Sequence, residues 1–300
     1  MTSTETETET PLVGITGATG GLGGAVARGL AARGQRMRLI VRDAARAPRL
    51  TGAAVALAAG YHDRAAMTAA LRGVQTLFLV SGRESPTRVA EHVSAIDAAV
   101  DAGVRRIVYT SYLAAAPDAT FTLGRDHYAT EQHIRQTGLA YTFLRHNVYL
   151  DLLPAMASPQ GVIAGPAGNG RLTAVARDDC AAVAVTVLVE AHHAGQTYGV
   201  TGRDAYTLAE VAAILSEVAG RAVTYKAETI EEAYASRTVY GAPRFEVEGW
   251  VSSYLAVAQG DLDVTTDTVL RLTGRAPQTL PAYLAEHPAS YAHLQQSTTG

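Results

Sequence analysis

Short apolar runs alternate along the chain with longer stretches in which apolar side chains recur at helical spacing. The run "LVGIT" is strand-like, and after Gly20 the residues Leu22, Val26, Gly29 and Leu30 share one helical face. Further strands are predicted over 36–41, 53–59, 74–80, 104–111 and 140–145. Between 86 and 102 the valines Val89 and Val93, with Ile96 and Val100, predict a helix with an apolar stripe, and another helix is predicted over 122–136. Strands joined by helices give a parallel sheet with right-handed crossovers and ligands at the carboxyl ends of the strands. The expected fold class is a doubly wound α/β domain.

Beyond Arg145 the rhythm loosens. Residues 158–171 supply turn formers, 177–191 read as a buried helix, 196–202 as a strand, and 207–220 as an amphipathic helix opened by a Thr207/Glu210 capping box. This divides the chain into a disordered tail over 1–10, a dinucleotide-binding domain over 11–152 to which 171–202 returns, and a smaller substrate domain from 153–170 and 203–300. The aromatic residues Tyr234, Tyr240, Phe245, Trp250 and Tyr254 are expected to be core of that smaller domain. Covering a flat substrate and forming a homodimer contact are the other readings of the same segment.

Composition narrows the class. In 300 residues, 48% are hydrophobic and 18% charged, enough for a sizeable buried core. A net charge of -3 without basic clusters speaks against nucleic acid. One cysteine, Cys180, excludes an intrachain disulfide and a thiolate metal cluster. No apolar run is long enough for a membrane span and no leader is evident, so a cytoplasmic protein is expected. His133 lies off the helical face of His127, which leaves no metal-ligand set, and His192 and His193 are expected on the surface.

Glycines between a strand and a helix point to phosphate binding. Gly17 can take the tight turn, Gly20 allows close approach of a pyrophosphate, and Gly23 lets the helix pack on the strand. The free N–H groups of the helix start would face the anion. At the end of the second strand, "LIVRD" places Arg42 where an acidic residue would select NAD, which favours NADP(H). The alternative has Asp43 on the ribose and Arg42 in solvent.

The segments "GITGATGGLG", "LIVRD", "AGVRRIVYTSYL", "HYATEQHIRQTGLAYTFLRHNVYLDLL" and "TYGVTGRDAYTLAEVAAILSEVAGRAVTY" together resemble the NmrA-like branch of atypical short-chain dehydrogenases. Within it they are most similar to the bacterial NADPH:quinone oxidoreductase and triphenylmethane reductase subgroup. The resemblance implies a Rossmann fold and NADPH as cofactor. It implies cofactor contacts for Thr16, Gly17, Thr19, Gly20, Gly21, Leu22 and Gly23, for Arg42, for Ser81 and Gly82, and for Thr110. Where relatives often carry an acidic residue near the adenine this chain has Gly60, and Asp63 reads equally as a helix cap.

The resemblance also directs attention to Tyr128, His127 and Ser111 as catalytic candidates. Common short-chain dehydrogenases follow the tyrosine with a lysine four residues on, whereas here Gln132 stands, so the phenol should stay protonated and reduction is the favoured direction. His127 shares a helical face with Glu131 and either stabilises a developing oxyanion or is a satisfied structural residue. Arg145, His146, Asn147 and Tyr149, at the end of the sixth strand, and Tyr112 are expected to line a substrate site. The expected function is NADPH-dependent reduction of a small-molecule acceptor, quinonoid or otherwise planar and conjugated. A sensor that binds NADP(H) without turnover and a biosynthetic carbonyl or enone reductase remain alternatives.

Overall fold

The computed structural model describes residues 11–295, and the segment read as a disordered tail lies outside the described residues. The first half runs β1 (Val13–Thr16), α1 (Gly21–Ala32), β2 (Met37–Val41), β3 (Ala53–Leu57), α2 (Arg64–Leu71), β4 (Thr76–Leu79), α3 (Arg88–Asp101), β5 (Arg106–Tyr112), α4 (Thr122–Gln136) and β6 (Ala140–His146). There follow α5 (Leu152–Ala155), β7 (Val162–Gly165), β8 (Arg171–Leu172), α6 (Arg177–Val189), β9 (Gln196–Val200), β10 (Tyr206–Thr207), α7 (Leu208–Ala219) and β11 (Thr224–Ala227). The chain ends with α8 (Ile230–Ser236), α9 (Arg244–Ala258), α10 (Thr268–Thr273), α11 (Leu280–Glu286) and α12 (Ala292–Gln295). Among the described residues no helix is long and apolar enough to cross a membrane.

Seven strands form one sheet in the order β3-β2-β1-β4-β5-β6-β9, parallel throughout. The order reverses between β1 and β4, and the crevice outside their carboxyl ends is the natural ligand position in such a sheet. Late in the chain β9 returns to pair with β6, and α6, buried from Asp179 to Leu188 apart from Ala182, packs on α1 where Gly29 leaves room for Val185. Val13, Ile15, Leu30 and Val183 fill one face of the sheet, while Ile96, Ile107 and Phe143 fill the other. A separate core of Ile163, Leu208, Leu215 and Leu280 lies beneath the two-stranded pairs β7–β11 and β8–β10.

Local chemistry accounts for the element ends. Thr207 and Glu210 form the capping box of α7, which stops at Gly220 with φ of 68°. Asp63 caps α2 by accepting the Ala66 N–H. By contrast, α1 starts at Gly20 with no side-chain cap, so its first N–H groups are left for a ligand.

Three expectations are corrected. The buried face of α3 is Arg88, His92, Ala95 and Ala99 together with Ile96 and Ala98, whereas Val100 is exposed and Val89 and Val93 are only half-buried. The buried face is rotated by about 100° from the valine stripe, because Arg88 and His92 on it have buried polar partners. His193 is buried, its Nδ1 beside the Tyr198 hydroxyl at 2.8 Å, while His192 is exposed as expected. None of the five aromatic residues between 234 and 254 is fully buried, and Tyr240 is 70% exposed.

At the glycine turn, Gly17 has φ of 66°, and a Cβ on Gly23 would stand 2.4 Å from the Gly17 carbonyl oxygen. A Cβ on Gly20 would meet that oxygen at 3.4 Å, an ordinary contact. Gly23→Ala is therefore expected to destabilise the fold by about 1–3 kcal/mol through overpacking. Gly20→Ala should leave the thermal midpoint at or above wild type, since its φ suits alanine. Parallel thermal melts of the two variants check the contrast.

Candidate active site

The crevice begins at the glycine turn. Gly17, Thr19, Gly20 and Gly21 are exposed along its rim, whereas Thr16, Leu22 and Gly23 are buried beneath. Thr16 Oγ1 receives the Val80 N–H at 2.9 Å, tying β1 to the end of β4, and so faces the protein rather than a ligand. Arg42 is exposed at the end of β2, while Asp43 is committed to capping Ala45 at 2.9 Å. Arg177 crosses above Gly21, its Cδ 3.5 Å from where a Cβ would stand. Asp151 holds its Nε at 2.8 Å, and its guanidinium lies 4.2 Å from the centre of the Tyr149 ring.

Behind the crevice runs a buried polar seam. Ser81 N–H donates to Thr110 Oγ1 at 2.7 Å, and Gly82 N–H donates to His92 Nε2 at 2.7 Å. That bond forces the hydrogen of neutral His92 onto Nδ1, which faces Thr130 Oγ1 at 2.9 Å, and Thr130 donates onward to the Asp126 carbonyl. Arg88 donates from Nε to the Gly82 carbonyl at 3.0 Å and from a terminal nitrogen to His127 Nε2 at 2.9 Å. An arginine can only donate, so His127 carries its hydrogen on Nδ1, facing Tyr109 Oη at 2.9 Å. Burial, reinforced by the Arg88 charge, lowers His92 to about 3 and holds His127 well below the usual histidine range. Both rings are neutral with both nitrogens occupied.

Glu131 is fully buried and receives Ser111 Oγ at 2.6 Å and Arg145 through Nε at 2.9 Å and a terminal nitrogen at 2.7 Å. Burying a carboxylate is tolerable only with such pairing. The pair binds the ends of β5 and β6 to α4, and thereby fixes the backbone from which the cavity wall is built.

A cavity of about 1250 Å³ opens at this point. Ser81, Gly82, Thr110, Ser111, Tyr112, His127, His146, Asn147 and Tyr149 line one end. Tyr112 meets Phe121 edge to face at 5.1 Å, and burial with nearby Asp261 pushes its phenol upward. His146 is 3% exposed, with Nδ1 2.9 Å from Tyr149 Oη and Nε2 without a partner. Burial, aided by Arg177, lowers it to about 3. Asn147 lines the wall but its amide nitrogen donates to Thr173 Oγ1 at 2.8 Å and to the Leu262 carbonyl at 3.0 Å. The other end is walled by α5, β7, α9 and residues as late as His293.

The structure thus gathers most of the expected acceptor-side residues and leaves two out: Arg145, which is turned to the buried Glu131 instead of lining the cavity, and Tyr128. Tyr128 does not line the cavity. His127 and Glu131 occupy the buried face of α4, and Tyr128 with Gln132, one residue further, is turned about 100° away. The wall carries other phenols instead, Tyr112 and Tyr149 at this end of the cavity. His127 is there, but it bonds neither Glu131 nor a backbone carbonyl, and neither ring nitrogen is free to serve an acceptor. Sequence reasoning missed Arg88, His92 and Arg177. The four-residue spacing of Arg88 and His92 on α3 was a signal, hidden by the valines.

Comparison with known proteins agrees with this geometry. The NmrA-like family matches residues 9–247. Quinone oxidoreductase 2 of Escherichia coli is 34% identical over 275 residues, covering 90% of this chain and 96% of that protein. Its crystal structure with NADPH has a TM-score of 0.84 at 35% identity, covering 91% of this chain and 99% of the other. The triphenylmethane reductase of Citrobacter sp. has a TM-score of 0.80 at 31% identity, covering 96% of this chain and all (100%) of the other.

The neutral histidines carry a pH signature. An unfolded chain protonates His92 near 6.5, whereas the folded chain resists protonation until about 3, so the unfolded state binds more protons in between. Stability is therefore expected to fall as pH drops below about 6.5, saturating near 3. His92→Gln, which can keep both hydrogen bonds without titrating, should show a shallower fall. Urea midpoints from pH 7 to 4 (roughly the range in which the shift acts) measure the difference.

Proposed function

The chain belongs to the NmrA-like family, and on that premise we propose that it is an NADPH-dependent reductase delivering hydride to a quinone or another planar conjugated acceptor. The observation that carries the reading is that the glycine turn and the cavity lie at the carboxyl ends of the neighbouring strands β1, β4 and β5. A turn shaped for a pyrophosphate and an exposed arginine lie on one side, and a large apolar-walled cavity with Ser81, Gly82 and Thr110 in its lining on the other.

The residues fit the dinucleotide. The close approach at Gly23, the positive φ of Gly17 and the uncapped start of α1 leave N–H groups for a pyrophosphate. Arg42 is free to bind the 2′-phosphate because Asp43 is committed elsewhere. Bound NADPH supplies the hydride, and the protein supplies orientation and a pocket. His92 and Arg88 hold the Ser81–Gly82 backbone in place for the ribose. Tyr112 and Phe121 form an aromatic flank for a flat acceptor. The Tyr112 phenol, kept protonated by burial, offers an O–H to an acceptor oxygen, and the unpartnered His146 Nε2 is a further hydrogen-bonding position. Residues 11–152 with 171–202 form the cofactor side in this reading, and 153–170 with 203–295 the acceptor side. A small-molecule acceptor is its partner, and a single buried cysteine suits a reducing cytoplasm.

Oxidation of NADPH against quinones, triphenylmethane dyes and enones tests the proposal. Acceptor-dependent turnover is expected, and Arg42→Ala should weaken NADPH binding about 10- to 100-fold, the weight of one charge-assisted hydrogen bond. Tight NADPH binding with no turnover on any acceptor would favour the sensor instead.

A further inference from the structure

The whole cavity, its cofactor end included, is larger than a small quinone requires, and its far half is differently built. Pockets that enclose drug-sized ligands measure about 300–1000 Å³, against about 1250 Å³ here. None of the glycine turn and not Arg42 lines this space, so the adenosine half of a dinucleotide takes up none of it.

The far wall carries an aliphatic stretch beside Tyr240, Trp250 and Tyr254, with serines and His293 among them. Leu152 and Met156 come from the α5 region, Leu172 from β8 and Val257 from α9. On β7 the strand alternation is resolved: Val162 and Ala164 face the cavity, while Ile163 enters the core and Gly165 backs onto Tyr254. Met156 adds a flexible thioether suited to an adaptable chain.

The wall also lacks a cation for an anionic substituent. Arg237 lines the cavity, but it donates to Glu228 at 2.9 Å and to the carbonyls of Ala233 and Ala164 at 2.8 and 3.1 Å. The other lining arginine, Arg88, is committed to Gly82, Asp126 and His127. An apolar group can be desolvated here without leaving a charge unpaired.

We infer that the acceptor carries a long aliphatic substituent, alkyl or prenyl, which lies along β7 and α9 while its conjugated carbonyl head sits beside Tyr112. The inference rests on the reductase reading for the head group; the tail depends only on the cavity. Val162 and Ala164 set the length that is accepted.

The molecule carries its own probe, because Trp250 is the sole tryptophan and lines the cavity. The test takes 1,4-naphthoquinones with methyl, butyl, octyl and dodecyl substituents. Dissociation constants are read from quenching of Trp250 in the presence of NADP⁺, and kcat/KM from NADPH oxidation. Affinity and kcat/KM should rise with chain length, by up to about fourfold per buried methylene. Ala164→Phe and Val162→Phe should each lower the dodecyl-to-methyl ratio at least tenfold. Unchanged NADPH binding identifies variants that remain folded. A flat response across the series, or tighter binding of a rigid triphenylmethane dye than of every alkyl quinone, overturns the inference. Length-dependent quenching without turnover of any quinone would overturn the reductase reading and leave the aliphatic site standing.

Discussion

A carboxylate without contact to water is among the costliest groups a fold can contain, and Glu131 is such a group. Its oxygens are satisfied by Ser111 from the end of β5 and Arg145 from the end of β6, so the strand ends that border the cavity cannot shift independently. Removing Arg145 would leave an unpaired buried charge, a loss of about 3–5 kcal/mol. The neighbouring seam from Gly82 through His92 and Thr130, and from Arg88 through His127 to Tyr109, extends the same logic to β4, α3 and α4. The polar groups of this seam are engaged with one another, which ties the strand ends and helices behind the cavity together.

Full engagement also sorts roles. Ser111, His127 and Asn147 look reactive by residue type, yet their hydrogen-bonding atoms serve the frame. Tyr112 and His146 retain hydrogen-bonding capacity in the wall. Chemistry then depends on a few open positions against a fixed background, which is how a pocket orients hydride transfer without a catalytic triad.

Much of the fold was legible in the chain. The glycine spacing and strand–helix alternation pointed to the sheet and its crevice, because backbone requirements at a phosphate turn leave few substitutes for glycine. The range 122–136 for α4 matched to the residue. The reading faltered where tertiary partners overrode local pattern. Valines at helical spacing on α3 gave way to Arg88 and His92, since buried polar partners across the fold outweigh a modest apolar stripe. Tyr128 resembled a family acid, but helical phase is decided by which face Glu131 must bury. The aromatic residues between 234 and 254 looked like core, and three of them, Tyr240, Trp250 and Tyr254, instead border a cavity whose existence no local window of sequence encodes. Arg177 gave no local sign of crossing Gly21, as the approach is made by segments more than a hundred residues apart.

The clasp between Asn147 and the carbonyl of Leu262 joins residues 115 positions apart. Loop closure over such a span imposes its entropic cost before any local contact repays it. During synthesis, the glycine turn and Arg42 can take shape long before Leu262 has left the ribosome. The dinucleotide end can thus precede the acceptor end in folding order, and an incomplete chain would hold the means to grip a nucleotide without an enclosed place for anything to react.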